Sequence, residues 1–282
     1  MTDRTLAIDS VTVPRFLYGT AWKEAETKRL TSIALAAGFR GIDTANQRKH
    51  YHEVGVGEAV REAIASGVVA RGDLFLQTKF THQAGQDHRL PYDPSAPIGE
   101  QVAQSFASSL EHLGVERIDS YVLHGPSRRV GLAPGDWDAW RAMEKLHAAG
   151  RVKLLGISNV SLEQLGLLHE KAAVRPRFVQ NRCFASHGWD REVRAFCRAN
   201  AINYQGFSLL TANRDVLAHP EVTRIAKRHS RTIAEVIFRF ALDLGMIPLT
   251  GTSRIEHMRT DLGAFDFRLD PAEVAQIESI AG

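Results

Sequence analysis

Cysteine is scarce in this chain of 282 residues, and so is net charge. The two cysteines, Cys183 and Cys197, match neither a disulfide framework nor a zinc signature. The formal net charge of +3 gives no support to binding of nucleic acid or of a membrane surface. The first residues contain no apolar signal region, and no run approaches the roughly 18 apolar residues that a membrane-spanning helix needs. These absences favour a cytoplasmic protein whose partners are neither nucleic acids nor membranes, and a monomer is the default expectation.

The chain does contain a regular alternation of short apolar runs and segments with helical spacing. Strands are predicted at 15–19, 39–43, 74–79, 118–124, 153–157, 177–182, 203–208 and 246–250. Helices are predicted at 24–37, 53–66, 98–113, 136–148, 161–171, 189–199 and 231–244, with a short helix from about 254 and a last one at 271–280. Eight strands alternating with helices over about 260 residues predict an α/β fold, the (β/α)₈ TIM barrel.

This barrel is predicted to form one domain over residues 1–282, with an N-terminal β-hairpin below it and the C-terminal helix as an extra element. A doubly wound parallel sheet is the rival fold. It is less favoured because no Gly-x-Gly-x-x-Gly follows the first strand. The sequence Gly55-Val56-Gly57 lacks the third glycine and lies at a predicted helix start.

Ionisable residues stand at the ends of three consecutive predicted strands. These residues are Asp43, Lys79 and His124, and Tyr51 follows in the loop after Asp43. Each of them taken singly has a commoner structural role, such as a loop acid or a solvated lysine. Barrel active sites, however, lie at the carboxyl ends of the strands. We therefore predict that the four side chains form one cluster suited to proton transfer to a carbonyl oxygen.

Short motifs in strand order resemble those of the aldo-keto reductase family. They are Gly19-Thr20, Ile42-Asp43-Thr44-Ala45, Lys79, Leu123-His124, Gly156-Ile157-Ser158-Asn159, Gln180, Phe207-Ser208-Leu209-Leu210, Ile247-Pro248 and Phe265-Asp266-Phe267. The resemblance implies NAD(P)H-dependent reduction of an aldehyde or ketone, a small-molecule carbonyl substrate. It also implies that a tyrosine donates the proton, that a lysine lowers the pKa of this tyrosine, that an aspartate pairs with the lysine, and that a histidine orients the carbonyl.

The spacing of the tyrosine departs from the family pattern. The family places it five residues after the aspartate, where this chain has Arg48, whereas Tyr51 stands eight residues after Asp43. The loop is thus longer than usual, by about two residues. Tyr51 is assigned as the proton donor because Glu53 and the residues after it suit the segment that follows the family tyrosine. Three residues remain as alternatives for this position: Arg48, His50 and His52.

The resemblance also implies a site for NADPH, with NADH as an alternative because Leu249 and His257 replace a common lysine and a frequent arginine. The nicotinamide contacts are Ser158, Asn159, Gln180 and, stacked under the ring, Phe207. The pyrophosphate contacts are Ser208, Leu210, Thr211 and Asn213. The start of a helix suits a phosphate, and Ser253, Arg254 and His257 are predicted to bind the 2′-phosphate. The remaining predicted cofactor contacts are Gly19, Thr20, Asp43, Gly251 and Thr252, and the predicted substrate-pocket residues are Trp22 and Phe80.

Two other functions stay open at this point. The pair His50 and His52, with His124 and His187, could belong to a metal-dependent barrel hydrolase, but these histidines do not make a closed ligand set and no metal site is predicted. The unusual spacing of Tyr51 also leaves room for a non-catalytic barrel that binds NADPH.

Overall fold

The computed structural model describes residues 4–281, which begin with an antiparallel β-hairpin. Strand β1 (Thr5–Ile8) pairs with β2 (Val11–Pro14), and Thr5 lies opposite Pro14. The hairpin covers the amino end of the barrel, where Val11 and Val13 pack in one cluster with Phe75 and Phe178. Because the amino end is closed in this way, the carboxyl ends of the strands form the open face.

Eight parallel strands close into the barrel, which confirms the predicted fold class. They are β3 (Leu17–Gly19), β4 (Gly41–Asp43), β5 (Phe75–Phe80), β6 (Ile118–Leu123), β7 (Val152–Ser158), β8 (Phe178–Arg182), β9 (Asn203–Phe207) and β10 (Ile247–Thr250). Neighbouring strands follow the chain order, and β10 pairs with β3 to complete the ring.

Helices surround the barrel and return the chain to its amino end. They are α1 (Thr27–Ala37), α2 (Glu53–Ala65), α3 (Ile98–Leu113), α4 (Pro134–Ala148), α5 (Leu162–Lys171), α6 (Arg191–Ala199), α7 (Arg214–Leu217), α8 (Pro220–Arg228), α9 (Ile233–Asp243), α10 (Ile255–Leu262) and α11 (Pro271–Ser279). In α3 the apolar residues Val102, Phe106 and Leu113 are buried and lie on the inward face. Within the described residues, no helix combines the length and the apolar character needed to cross a membrane.

Two segments differ from the sequence-based prediction. Helix α6 begins at Arg191 rather than at 189, because Gly188, Trp189 and Asp190 have left-handed φ values of 62°, 57° and 58°. The segment after β9, predicted only as an insertion, contains the short helices α7 and α8. The four residues of α7 are too few to show an apolar period, whereas α8 does have an apolar face, with Val222, Ile225 and Ala226 buried.

Candidate active site

A buried ion pair lies beneath the open face of the barrel. The ammonium of Lys79 is 2.7 Å from both carboxylate oxygens of Asp43 and 2.8 Å from the carbonyl oxygen of Thr44. Lys79 is fully buried and Asp43 is 3% exposed. An ammonium has three hydrogens, so these contacts use its whole donor capacity. Burial lowers the pKa of Lys79, and the Asp43 carboxylate opposes that effect.

Three glutamines inside the barrel complete the surroundings of Asp43. The side-chain amides of Gln77 and Gln180 donate to Oδ1 of Asp43, at 2.7 and 3.0 Å. Both amides also donate to Oε1 of Gln205, at 2.7 and 2.8 Å. These glutamines come from β5, β8 and β9, so the carboxylate is fixed by strands on several sides of the barrel. Of the three, the sequence analysis singled out only Gln180.

Tyr51 and His124 lie together above this ion pair. Their ring centroids are 6.0 Å apart in an edge-to-face arrangement, and Lys79 Nζ is 5.3 Å from the centroid of the Tyr51 ring. His124 Nδ1 is 2.7 Å from the hydroxyl oxygen of Thr81. The structure thus brings all four predicted cluster residues into one place.

Both ring side chains have perturbed acidity. Burial, with the charge of Lys79, lowers the pKa of His124 to about 3, so the imidazole is neutral at pH 7. Burial, with the charge of Asp43, raises the pKa of Tyr51. The lowering of the tyrosine pKa by a lysine, which the resemblance implied, stays a prediction.

The long loop after β4 turns back on itself before Tyr51. The backbone carbonyl of Gln47 accepts hydrogen bonds from the N–H groups of His50 and Tyr51, at 3.2 and 3.0 Å. The Gln47 side-chain amide donates to the carbonyl of Gly85 at 2.7 Å, which ties the turn to the loop after β5. This turn directs Tyr51 to the ion pair, whereas Arg48 is exposed.

The two histidines beside Tyr51 differ in their surroundings, since His50 lines the cavity and His52 does not. The His50 ring stacks on Trp22 with centroids 3.7 Å apart, and His52 is exposed. Within residues 4–281, no group of three or more His, Cys, Asp or Glu side chains is arranged to hold a metal ion. The donor set therefore does not support the metal-dependent hydrolase.

A cavity of about 780 Å³ opens from the cluster. Asp43, Tyr51 and His124 are in its wall. The predicted cofactor and substrate residues that also line it are Gly19, Trp22, Ser158, Asn159, Gln180, Phe207, Ser208, Leu210, Thr211, Gly251, Thr252 and His257. Trp22 is 70% exposed and stands at the mouth.

Some predicted residues lie off the cavity wall. Phe80 is fully buried against Tyr92, because residues alternate along β5 and Lys79 already points into the barrel. Thr20 is fully buried and donates its hydroxyl to the backbone carbonyl of Asp43 at 3.0 Å. Three more predicted residues are absent from the wall: Asn213, Ser253 and Arg254.

Asn213 supports the cofactor loop from behind instead of facing it. Its side-chain amide donates to the backbone carbonyls of Cys183 and Leu209, both at 2.9 Å, and its oxygen accepts from the N–H of Ala185 at 2.7 Å. Ser253 and Arg254 are exposed just before α10, outside the wall.

The wall also contains His50 and Leu249, which the sequence analysis named only as an alternative and as a departure from the family pattern, and residues that it did not indicate. The latter are Ala21, Lys23, Gln47, Arg182, Leu209, Thr232, Ala234, Phe238, Thr250, Thr260 and Asp261. Lys23 donates a hydrogen bond to the Gly251 carbonyl and so joins the loops after β3 and β10. Asp261 is 3% exposed and accepts from the Thr250 hydroxyl at 2.8 Å, and burial raises its pKa to about 7.

The cavity fits a dinucleotide in size and in chemistry. Its volume lies within the roughly 300–1,000 Å³ of small-molecule sites. The amide and hydroxyl side chains of Ser158, Asn159 and Gln180 line the cavity together with Asp43, and His257 in the first turn of α10 lines it as well. Asn159 and Ser208 have left-handed φ values of 52° and 58°, a backbone strain that is typical of ligand sites.

Comparison with known proteins agrees with this geometry. The model of the aldo/keto reductase family matches residues 17–281, so the chain belongs to this family and is, as such, an NAD(P)H-dependent oxidoreductase.

Among curated relatives, the chain is 28% identical over 276 residues to the "Uncharacterized oxidoreductase YtbE" of Bacillus subtilis (strain 168), covering 96% of this chain and 90% of that protein. It is 27% identical over 255 residues to the glyoxal reductase of the same organism, covering 90% and 83%.

Two solved structures share the fold. The aldo/keto reductase from Brucella melitensis is 26% identical, with a TM-score of 0.81 and coverage of 99% of both chains. The Bombyx mori aldo-keto reductase AKR2E4, solved in complex with NADP, is 24% identical, with a TM-score of 0.82 and coverage of 99% of this chain and 92% of that one.

Proposed function

We propose that this protein uses NADPH to reduce an aldehyde or ketone to an alcohol, with Tyr51 as the proton donor. The observation that carries the proposal is the convergence of Tyr51 and His124 over the Asp43–Lys79 pair on one cavity wall. When bound, NADPH supplies the hydride that the carbonyl carbon accepts. Two comparisons support this proposal: one relative is named glyoxal reductase, and the Bombyx protein was solved in complex with NADP.

His124 orients the carbonyl. Its pKa of about 3 keeps the ring neutral, so one ring nitrogen carries a hydrogen and the other accepts one. The Thr81 hydroxyl lies 2.7 Å from Nδ1, and in the tautomer in which Nδ1 accepts this hydrogen bond, the ring hydrogen is on Nε2 and is donated to the substrate oxygen. This hydrogen bond strengthens as negative charge develops on that oxygen, and such strengthening lowers the barrier.

Tyr51 protonates the developing alkoxide. Its raised pKa keeps the phenol in the protonated form over the physiological range, which is the form that a donor needs. The alkoxide is a stronger base than a phenolate, so the proton still moves toward the substrate. Lys79 and Asp43 hold a compensated charge pair below the ring, and they fix its position without ionising it.

The cofactor residues act by binding and orientation. Ser158, Asn159 and Gln180 would hold the carboxamide, and Phe207 would stack on the nicotinamide ring. Asn159 is itself fixed by donation to the His124 carbonyl at 2.8 Å, which connects cofactor placement to the catalytic histidine.

The test is NADPH oxidation with 4-nitrobenzaldehyde and with a quinone, for the wild type and Tyr51→Phe. Loss of the proton donor is expected to lower turnover by about 10²–10⁴-fold while the affinity for NADPH is retained. The control is Tyr204→Phe, which removes a hydroxyl that is bonded to Asp190 and does not belong to the cavity wall. Unchanged turnover in Tyr51→Phe would rule out Tyr51 as the acid, and His50→Gln would then be assayed in the same way.

A wild type that binds NADPH but turns over no member of a broad carbonyl panel would contradict the proposed reaction. That outcome would favour the non-catalytic NADPH-binding barrel.

A further inference from the structure

An unpaired cation stands beside the ring on which the nicotinamide is proposed to rest. Arg182 ends β8 and is the register partner of Phe207, which ends β9. Its guanidinium carbon lies 5.7 Å from the centroid of the Phe207 ring and 5.9 Å from that of Phe184. Arg182 is exposed and lines the cavity. In the part of the chain that the structure describes, its side chain has neither a hydrogen bond nor an ion pair.

We propose that Arg182 makes the site discriminate between the two oxidation states of the cofactor, weakening the binding of NADP⁺ relative to NADPH. This inference rests on the proposed function, because it requires the nicotinamide to stack on Phe207. It assigns to Arg182 a role that acts through the phenyl ring rather than through contact with the substrate.

The physical reason is a difference in charge that is confined to one ring. The nicotinamide carries a positive charge in NADP⁺ and none in NADPH, whereas the phosphates are the same in both. The π face of a phenylalanine attracts a cation. Arg182 already places a cation over Phe207. The positively charged nicotinamide of NADP⁺ therefore gains less from stacking on that ring, and the Arg182 charge repels it. Any contact of Arg182 with a phosphate affects both forms and cancels in the ratio of their dissociation constants.

The expected effect follows from the strength of such contacts. Replacing the Arg182 cation should lower the ratio Kd(NADP⁺)/Kd(NADPH) by roughly two- to fivefold, which corresponds to about 0.5–1 kcal/mol at about 1.4 kcal/mol per tenfold. The functional consequence is that the oxidised cofactor leaves more readily after reduction than it would without Arg182.

The experiment measures both dissociation constants by fluorescence titration, without substrate, for the wild type, Arg182→Gln and Arg182→Lys. The ratio should fall in Arg182→Gln and stay near the wild-type value in Arg182→Lys, which keeps the charge. Arg4→Gln is the matched control, because the Arg4 guanidinium lies 5.2 Å from the Phe265 centroid, away from the cavity. This control should leave the ratio unchanged.

Two outcomes would overturn the inference. One is an unchanged ratio in Arg182→Gln, including the case in which both constants rise together and so report a phosphate contact. The other is that Arg182→Gln lowers the ratio in the Phe207→Leu background as much as it does in the wild type. The phenyl ring would then not transmit the effect. Neither measurement depends on turnover, so failure of Tyr51 as proton donor and failure of this inference are seen separately.

Discussion

The buried pair of Asp43 and Lys79 makes a strong prediction for stability. Lys79→Met removes three hydrogen bonds of 2.7–2.8 Å and leaves the Asp43 carboxylate 3% exposed with only amide donors. Breaking a buried ion pair by removing one partner costs about 3–5 kcal/mol. Gln77 and Gln180 still donate to Asp43, so we expect the lower part of that range. Since domains have about 5–15 kcal/mol of stability in total, the loss is large.

Urea unfolding followed by circular dichroism measures this loss. The midpoint should fall while the slope m stays constant, because the surface exposed on unfolding is nearly unchanged. The informative control is the double variant Lys79→Met with Asp43→Asn. It contains no buried charge at this point, and the asparagine oxygen still accepts from both glutamine amides.

The double variant should therefore be more stable than Lys79→Met alone, with a coupling energy of at least about 2 kcal/mol. A loss below about 1 kcal/mol in Lys79→Met would refute the reasoning. Strict additivity of the two substitutions would refute it as well, because the cost would then not arise from an uncompensated charge.

Two further predictions concern backbone packing and pH. Gly57→Ala should lower the free energy of unfolding by about 1–3 kcal/mol or more, since the new Cβ would lie 2.0 Å from the His112 carbonyl oxygen. Gly166→Ala in α5 meets open space, and it should raise the free energy of unfolding by about 0.5–1 kcal/mol in the same urea assay. Burial raises the pKa of Asp261 to about 7, so the native chain keeps a proton that the unfolded chain releases above about pH 4. The free energy of unfolding of the wild type should therefore fall as the pH rises from about 4 to 7. Asp261→Asn has no such proton to lose, so its free energy of unfolding relative to that of the wild type should be higher at pH 8 than at pH 5. A difference between the two proteins that is independent of pH would contradict the argument.

Much of the fold could be predicted from the sequence because its signals are local. The helix predicted at 98–113 has these bounds in the structure, and Gly38 ends α1 with a left-handed φ of 113°. Helix α7 escaped because four residues contain little more than one turn. Helix α8 has nine residues, as many as α6 and α11, and buries Val222, Ile225 and Ala226, so its apolar spacing was present in the sequence and was missed.

Some residues of the site could likewise be predicted from local sequence signals, and others could not. Asp43, Lys79 and His124 could be placed together because strand ends meet at one face of a barrel. The alternation of side chains along β5 would also have corrected the expectation for Phe80, since neighbouring residues of a strand point to opposite sides. Arg182 ends the predicted strand 177–182, so the same rule would have placed it at the open face, where it is the register partner of Phe207. Asp261 could not be found in this way, because it lies inside α10 and reaches the wall from the buried side of that helix, beside Thr250.

The tyrosine spacing shows why distance along the chain is a weak guide inside loops. The loop after β4 is longer than the family pattern, yet Tyr51 reaches Lys79 and His124. The loop turns back at Gln47, whose side-chain amide donates to the Gly85 carbonyl. A second bond, from Arg89 to the Arg48 carbonyl at 2.6 Å, ties the exposed part of the turn to the loop after β5. The position of Tyr51 therefore depends on where its loop is anchored, on the next barrel loop through Gly85 and Arg89 and on the preceding one through the Trp22 N–H, which donates to the His50 carbonyl at 2.7 Å.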